Sequence, residues 1–345
     1  MSRTSCPRVP LCAYADPTVR ALRQHIPSAL KHWDEDAIHD ARVATRRLKA
    51  AMDLIAPAAP KKALRPLRKT LRRLRRTLGP LRDLDVMIGH LGEFSAEGKH
   101  AAAVAWVRDR LTARREKERR RTRRREDARD WVERLGAWDD LRKDVVTLAD
   151  DVSGLMLASL AEQWAAFARQ ADGLANHLLD DEENHAAAAQ DPHALRIAGK
   201  QLRYTFEMLA AEGHKLPADV GRTFKRMQSE LGAWHDFVVL SERAMAESLR
   251  RQLAHHDPDL QADVLSLARA TLRQSKRHLR RSAQLWRRCG PALEAVVGRL
   301  TAEEPSAPVA AAAPQLSTEE ETTPGATAVT STPAAAPPPD ASSAA

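Results

Sequence analysis

The segment His39-Asp-Ala-Arg42-Val-Ala-Thr-Arg46-Arg47-Leu48-Lys49 returns 154 positions later as His193-Ala-Leu-Arg196-Ile-Ala-Gly-Lys200-Gln-Leu202-Arg203, with its cations at the same offsets. Guanidinium, ammonium and imidazole groups are hydrogen-bond donors that carry, or can acquire, positive charge, so this repeated set suits the binding of oxyanions. At about 100° per residue, offsets 0, 3, 7 and 10 of a helix fall within about 80° of one another, with Ala44, Leu48 and Met52 on the far side. Each copy predicts an amphipathic helix with a cationic ridge opposite an apolar stripe.

Further cations accompany both copies. Arg65, Arg68, Arg72, Arg75 and Arg76 share one helical face, with Lys69 among them, while Leu67, Leu71, Leu74 and Leu78 share another. Arg222, Lys225 and Arg226 occupy the corresponding place after the second copy. Two long basic segments add Arg114, Arg115, Lys117 and Arg121, then Arg273, Lys276, Arg277 and Arg280. Like charges crowded on neighbouring helices repel, and the same crowding built twice with few interleaved acids implies a ligand that supplies the counter-charge. Arginine outnumbers lysine at these positions, as suits bidentate contact with phosphate oxygens. His39 and His193 each open a basic face, where the guanidinium groups favour neutral imidazole until a polyanion draws it back to imidazolium.

Other chemistries find little support. Asp83 and Asp85 stand at i and i+2, on different sides of a helix, which fits capping and pairing with arginine better than metal ligation. The thirteen histidines include no i, i+4 pair, so neither a metal site nor a cofactor is expected. There is no glycine-rich phosphate loop and no nucleophile elbow. Glu116-Lys-Glu118 lies in an arginine-rich helix, away from any strand context. The expectation is a protein that is not an enzyme.

Helices must position these groups. Alanine, leucine, arginine and glutamate dominate, glycine is scarce at 14, and no β-branched alternation is sustained. An all-α fold follows. Asp16-Pro17 predicts a helix start, running to about Trp33. The His39 helix stops at Pro57 to Pro60, a third spans Lys61 to about Leu78 and ends at Gly79-Pro80, and a fourth opens at Arg82-Asp83-Leu84-Asp85. Ala101 to Arg129 reads as one long helix, closing near Trp131 to Leu141. The order then recurs: Ser153 to Leu179, a polar break to Asp191-Pro192, the His193 helix, Val220 to Leu231, and a long basic helix from Val264 to Trp286. Gly232-Ala-Trp234-His235-Asp236 matches Gly79-Pro-Leu-Arg82-Asp83 at an offset of 153, a second landmark that argues for internal duplication.

The expected organisation is a flexible N-terminus over 1–14, a domain over 15–300 in halves of about 15–150 and 151–300, and a disordered, acidic Pro/Ala-rich tail over 301–345. The tail holds six acids and no lysine or arginine, which leaves 55 basic against 40 acidic groups in the first 300 residues, a net +15. A polyanionic partner is implied. Cys6, Cys12 and Cys289 form no metal spacing and suit a reducing compartment. No stretch approaches the roughly 20 apolar residues that cross a bilayer, so the expected address is cytoplasmic.

With these residues in view, the chain resembles the CHAD family, the conserved-histidine α-helical domain. His39-x-x-Arg42-x-x-x-Arg46-Arg47-Leu48-Lys49 and His193-x-x-Arg196-x-x-x-Lys200-x-Leu202-Arg203-Tyr204 are similar to its signature helix. Leu78-Gly-Pro-Leu-Arg82-Asp83 and Leu231-Gly-Ala-Trp-His235-Asp236 are similar to its second landmark. The resemblance implies two tandem four-helix bundles related by a pseudo-two-fold, enclosing a basic central channel for inorganic polyphosphate. It also implies association with polyphosphate granules and with granule proteins. Tyr204 and His235 join the implied binding residues on this ground. Gln201 stands where many relatives carry a cation, which implies a weaker grip in the second half.

A nucleic-acid-binding protein is the alternative, carried by nine basic residues in the twelve from 114 to 125. No stacking aromatics interleave them and no helix-turn-helix or zipper accompanies them. A phosphate-handling enzyme with His39 or His193 as phospho-acceptor is a further alternative, supported by no paired carboxylates.

Overall fold

In the computed structural model, N-capping acids open the two signature helices. Asp34 accepts from the Ala37 amide at 2.7 Å ahead of Glu35 and Asp36, and Asp191 accepts from the His193 amide at 2.8 Å ahead of Pro192 at N1. The structure describes residues 9–95, 98, 100–180, 191–250, 253 and 257–302. Within these it is helical and without strands: α1 (Pro10–Pro27), α2 (Glu35–Leu54), α3 (Lys61–Ser95), α4 (Ala101–Arg123), short α5 (Ala128–Arg134) and α6 (Ala137–Thr147), α7 (Ala149–Leu179), α8 (Pro192–Glu212), α9 (Ala218–Ser248) and α10 (Pro258–Ala302). The tail expected over 301–345 lies outside the described residues beyond Ala302.

Several boundaries differ from the sequence expectation, each for a packing reason. The first helix starts at Pro10, because Leu11, Cys12 and Ala15 are buried in the core; the flexible stretch expected over 1–14 therefore does not extend through 10–14. Asp16 is no cap but accepts from Trp138 Nε1 at 2.8 Å and from Arg142 at 3.0 Å. That helix gives way at Pro27 to a π turn, Ser28–His32, and Trp33 turns the chain with φ 59°.

Gly79-Pro80 does not end α3. The apolar stripe continues through Leu78, Leu81 and Leu84, so burial holds the helix together where proline removes one backbone bond. α9 likewise runs straight through Gly232. The segment expected as one helix from Ala101 stops at Arg123, and Trp131 and Trp138, both buried, anchor the two short helices after it.

The four long helices of the first half, α1 to α4, recur in the same order as α7 to α10. Their apolar faces nevertheless do not close into cores confined to each half. One large cluster joins α1, α2 and the start of α3 with α7, α8, the start of α9 and the end of α10. A smaller one joins the end of α3 and α4 with the end of α9 and the start of α10. Along α3 the change of core falls between Leu81 and Leu84, and along α9 between Leu231 and Phe237. The second landmark of each half thus sits at the polar belt between two cores.

Candidate functional site

At this belt the two landmarks of each half meet. In the first half α2 runs antiparallel to α3. The Arg42 guanidinium crosses Gly79, donates to the Arg75 carbonyl at 3.4 Å and pairs with Asp83 at 3.4 Å. A Cβ at position 79 would stand 2.7 Å from Arg42 Nη1, so any larger residue there displaces the guanidinium tip. His39, one turn earlier on α2, lies in the field of Arg82. In the second half the same positions meet: the His193 and His235 rings are 5.0 Å apart, and Arg196 and Lys200 act on His235.

Burial and neighbouring cations act together on the belt histidines. Partial desolvation, then Arg82, Arg46 and Arg42, hold His39 below its ordinary pKa against the pull of Asp40. Burial and then Arg196 push His235 down to about 4. Both imidazoles are therefore held towards the neutral form, and a nearby anion would favour their charged form. Burial would raise the Asp236 pKa, but the neighbouring His90 and the Arg196 charge keep it below the carboxylate range. His90 comes from α3, so this ion pair, with Nε2 3.9 Å from Asp236, ties the first half to the second. It is packed by Phe237, whose ring lies 4.3 Å from His90 and stacks on His278.

A second tie joins α2 to α8. Arg47 donates to Glu207 through Nε at 2.8 Å and Nη2 at 3.3 Å, while Arg203 Nε lies 3.3 Å and the Tyr14 hydroxyl 3.4 Å from the same carboxylate. Tyr204 is buried beneath the Arg203 guanidinium.

The expected binding residues therefore separate into groups. His39, Arg42, Arg46, His193, Arg196, Lys200 and His235 belong to the belt. Arg47, Arg203 and Tyr204 belong to the Glu207 clamp. Lys49 and Arg68 share Asp53, at 2.6 and 3.0 Å. Arg115 is held by the buried Asp85, with the Trp33 carbonyl and Glu35 beside it. Arg121 faces Glu118 at 3.7 Å. Lys69, Arg72 and Arg76 are exposed on α3 and Arg75 is half-buried; Arg114 is exposed on α4, Arg222, Lys225 and Arg226 on α9, and Arg273, Lys276, Arg277 and Arg280 on α10.

Arg42 and Arg196, at 8% exposure each, are not on a solvated ridge; removing Arg42 takes away a buried guanidinium and its contact with Asp83. The pairing of Asp83 and Asp85 with arginine agrees with the sequence reading, and no group of metal-binding geometry exists among the described residues. Sequence reasoning missed Arg82, Glu207 and His90. Glu207 left a signal, standing four residues after Arg203 on one helix face. His90 left none, since its partner lies on another helix.

Comparison with known proteins fits this geometry. A family model described as the CHAD domain matches residues 13–245, both landmark pairs included. The crystal structure of the CHAD domain from the plant Ricinus communis matches with a TM-score of 0.54 at 19% identity, over 84% of this chain and 90% of that one, which shows a shared fold. No curated protein matches. α10 lies beyond the matched residues, yet it packs along α9, α7 and α4, with Ser241 donating to the Ala268 carbonyl at 2.8 Å and Trp286 to Asp172 at 2.7 Å. No helix among the described residues is long and apolar enough to cross a membrane.

Proposed function

Because this chain belongs to the CHAD domain family, we propose that it binds inorganic polyphosphate along the basic belt, without catalysing a reaction on it. The observation that carries this reading is the meeting of both landmarks in both halves. His39 with Arg42 and His235 with Arg196 stand among cations whose mutual repulsion a flexible phosphate chain relieves. Arginine forks and neutral histidines that charge on contact suit phosphoryl oxygens, and no group that could hold a metal ion stands among the described residues. Association with polyphosphate granules in the cytoplasm belongs to the same reading.

The test is a titration with long-chain polyphosphate, duplex DNA and phytate at matched salt. The expected result is saturable polyphosphate binding that displaces DNA and weakens linearly in log–log form as salt rises, through counterion release. Failure to saturate at moderate salt would overturn the proposal, and DNA binding that polyphosphate cannot displace would favour a nucleic-acid partner. Release of orthophosphate at a rate lost in His39→Ala would overturn its non-catalytic part.

A further inference from the structure

α4 and the C-terminal end of α9 flank an open depression of about 380 Å3, lined by residues outside the signature helices. Arg110, Arg114 and Lys117 line it from α4, Arg243 and Arg250 from the other wall. On α4 the spacing i, i+4, i+7 puts three cations on one face. The carboxylates nearby are already engaged. Glu247, fully buried, pairs with both Arg243 and Arg250, and Glu118 faces Arg121. Arg114 and Lys117 have no ion pair among the described residues.

Burial comes first in lowering the Arg243 pKa, followed by Arg114 and Arg250, against the pull of Glu247. A guanidinium stays protonated in proteins, so this crowding persists as repulsion that a bound anion relieves. One detail orders a donor at the rim. Arg110 lies over the Trp106 ring at 4.3 Å, which fixes its planar fork. The volume falls at the small end of ligand pockets, about 300–1,000 Å3.

We infer that this depression is a second anion site, which takes a compact triphosphate group through arginine forks and one ammonium. Cations on both walls, with Arg114 and Lys117 exposed, suit an anion of several charges rather than a single phosphate. Inorganic triphosphate and a nucleoside triphosphate share this chemistry. The long chain held by the belt engages other side chains, so the two sites titrate separately.

Calorimetric titration of the full chain tests the inference, with inorganic triphosphate and a nucleoside triphosphate as probes. Arg114→Ala with Lys117→Ala, both at exposed positions, is expected to weaken triphosphate binding at least tenfold at one class of site. Glu118→Gln, which removes a carboxylate from the rim, is expected to tighten the same class. Arg46→Ala with Lys200→Ala removes belt cations and leaves this class intact. Unchanged triphosphate binding in the Arg114/Lys117 variant, or its complete loss in the Arg46/Lys200 variant, would overturn the inference. Binding of the nucleoside triphosphate alone would overturn it too, because the triphosphate would then not be the recognised group. If long polyphosphate fails to bind while triphosphate still responds to Arg114 and Lys117, the belt reading falls and this site stands.

Discussion

Arg42 lies over Gly79 so closely that a Cβ there would meet its Nη1 at 2.7 Å, which makes the glycine of the second landmark the seat of the arginine of the first. The equivalent Gly232 has nothing within 4 Å of a Cβ, so the two halves use the same motif under different packing.

Glycine substitutions separate these roles. Gly232→Ala is expected to stabilise the protein by about 0.5–1 kcal/mol, the helix-propensity gain. In Gly79→Ala that gain is offset by displacing Arg42, so stability changes little while polyphosphate affinity falls. Gly199→Ala puts a Cβ 1.9 Å from the buried Gln228 amide and 2.8 Å from Phe167, and is expected to destabilise by about 1–3 kcal/mol through overpacking. Chemical denaturation of the three variants checks the order.

The two halves are expected to share one ligand. A long chain that touches Arg46 on α2 engages Lys200 on α8 at high effective concentration. Arg46→Ala and Lys200→Ala should each weaken long chains by roughly 1.5–3 kcal/mol, the worth of a charged hydrogen bond, and short chains by much less. The Lys200 effect should be the smaller, given Gln201. Equal losses for long and short chains would mean that each half binds alone.

The histidines give the binding a pH dependence. For the free protein, His235, held to about 4, contributes stability above its unfolded value near 6.5 and loses it as pH falls towards about 4. His39 acts in the same direction. His90, raised despite its burial by the Asp236 and Glu93 carboxylates, supports the fold below about 6.5 and loses that support as pH rises through its folded value. Polyphosphate bound as proposed is expected to restore the charge on His39 and His235, so binding should take up protons and tighten on acidification from pH 7 to 5, about tenfold for each pKa unit recovered. Titration in two buffers of different ionisation enthalpy measures the uptake, and His39→Ala with His235→Ala should abolish most of it.

Glu207→Gln tests the clamp between α2 and α8. The variant leaves Arg47 and Arg203 without their shared charge and should lower stability by about 1 kcal/mol, a modest figure because the groups are partly solvated. The two released guanidinium groups should strengthen polyphosphate binding in the same variant. Unfolding midpoints and a polyphosphate titration give the two readouts.

The class of fold and the cationic ridges follow from local sequence, because helix propensity, N-capping by Asp34 and Asp191, and a 3.6-residue apolar period act within a few turns. The recurrence of two landmarks at nearly one offset is equally local. What the chain could not reveal is how the ridges meet. Gly79-Pro80 reads as a helix end by local rules, yet the apolar stripe from Leu78 to Leu84 is buried on both sides of it and the helix continues. Arg42 reads as a solvated cation, yet α3, thirty-odd residues later, covers it. The ties from His90 to Asp236 and from Arg47 to Glu207 join helices more than 140 positions apart, where no periodicity carries information. Burial and charge pairing across the two cores decide those contacts, and with them which cations remain turned towards a ligand.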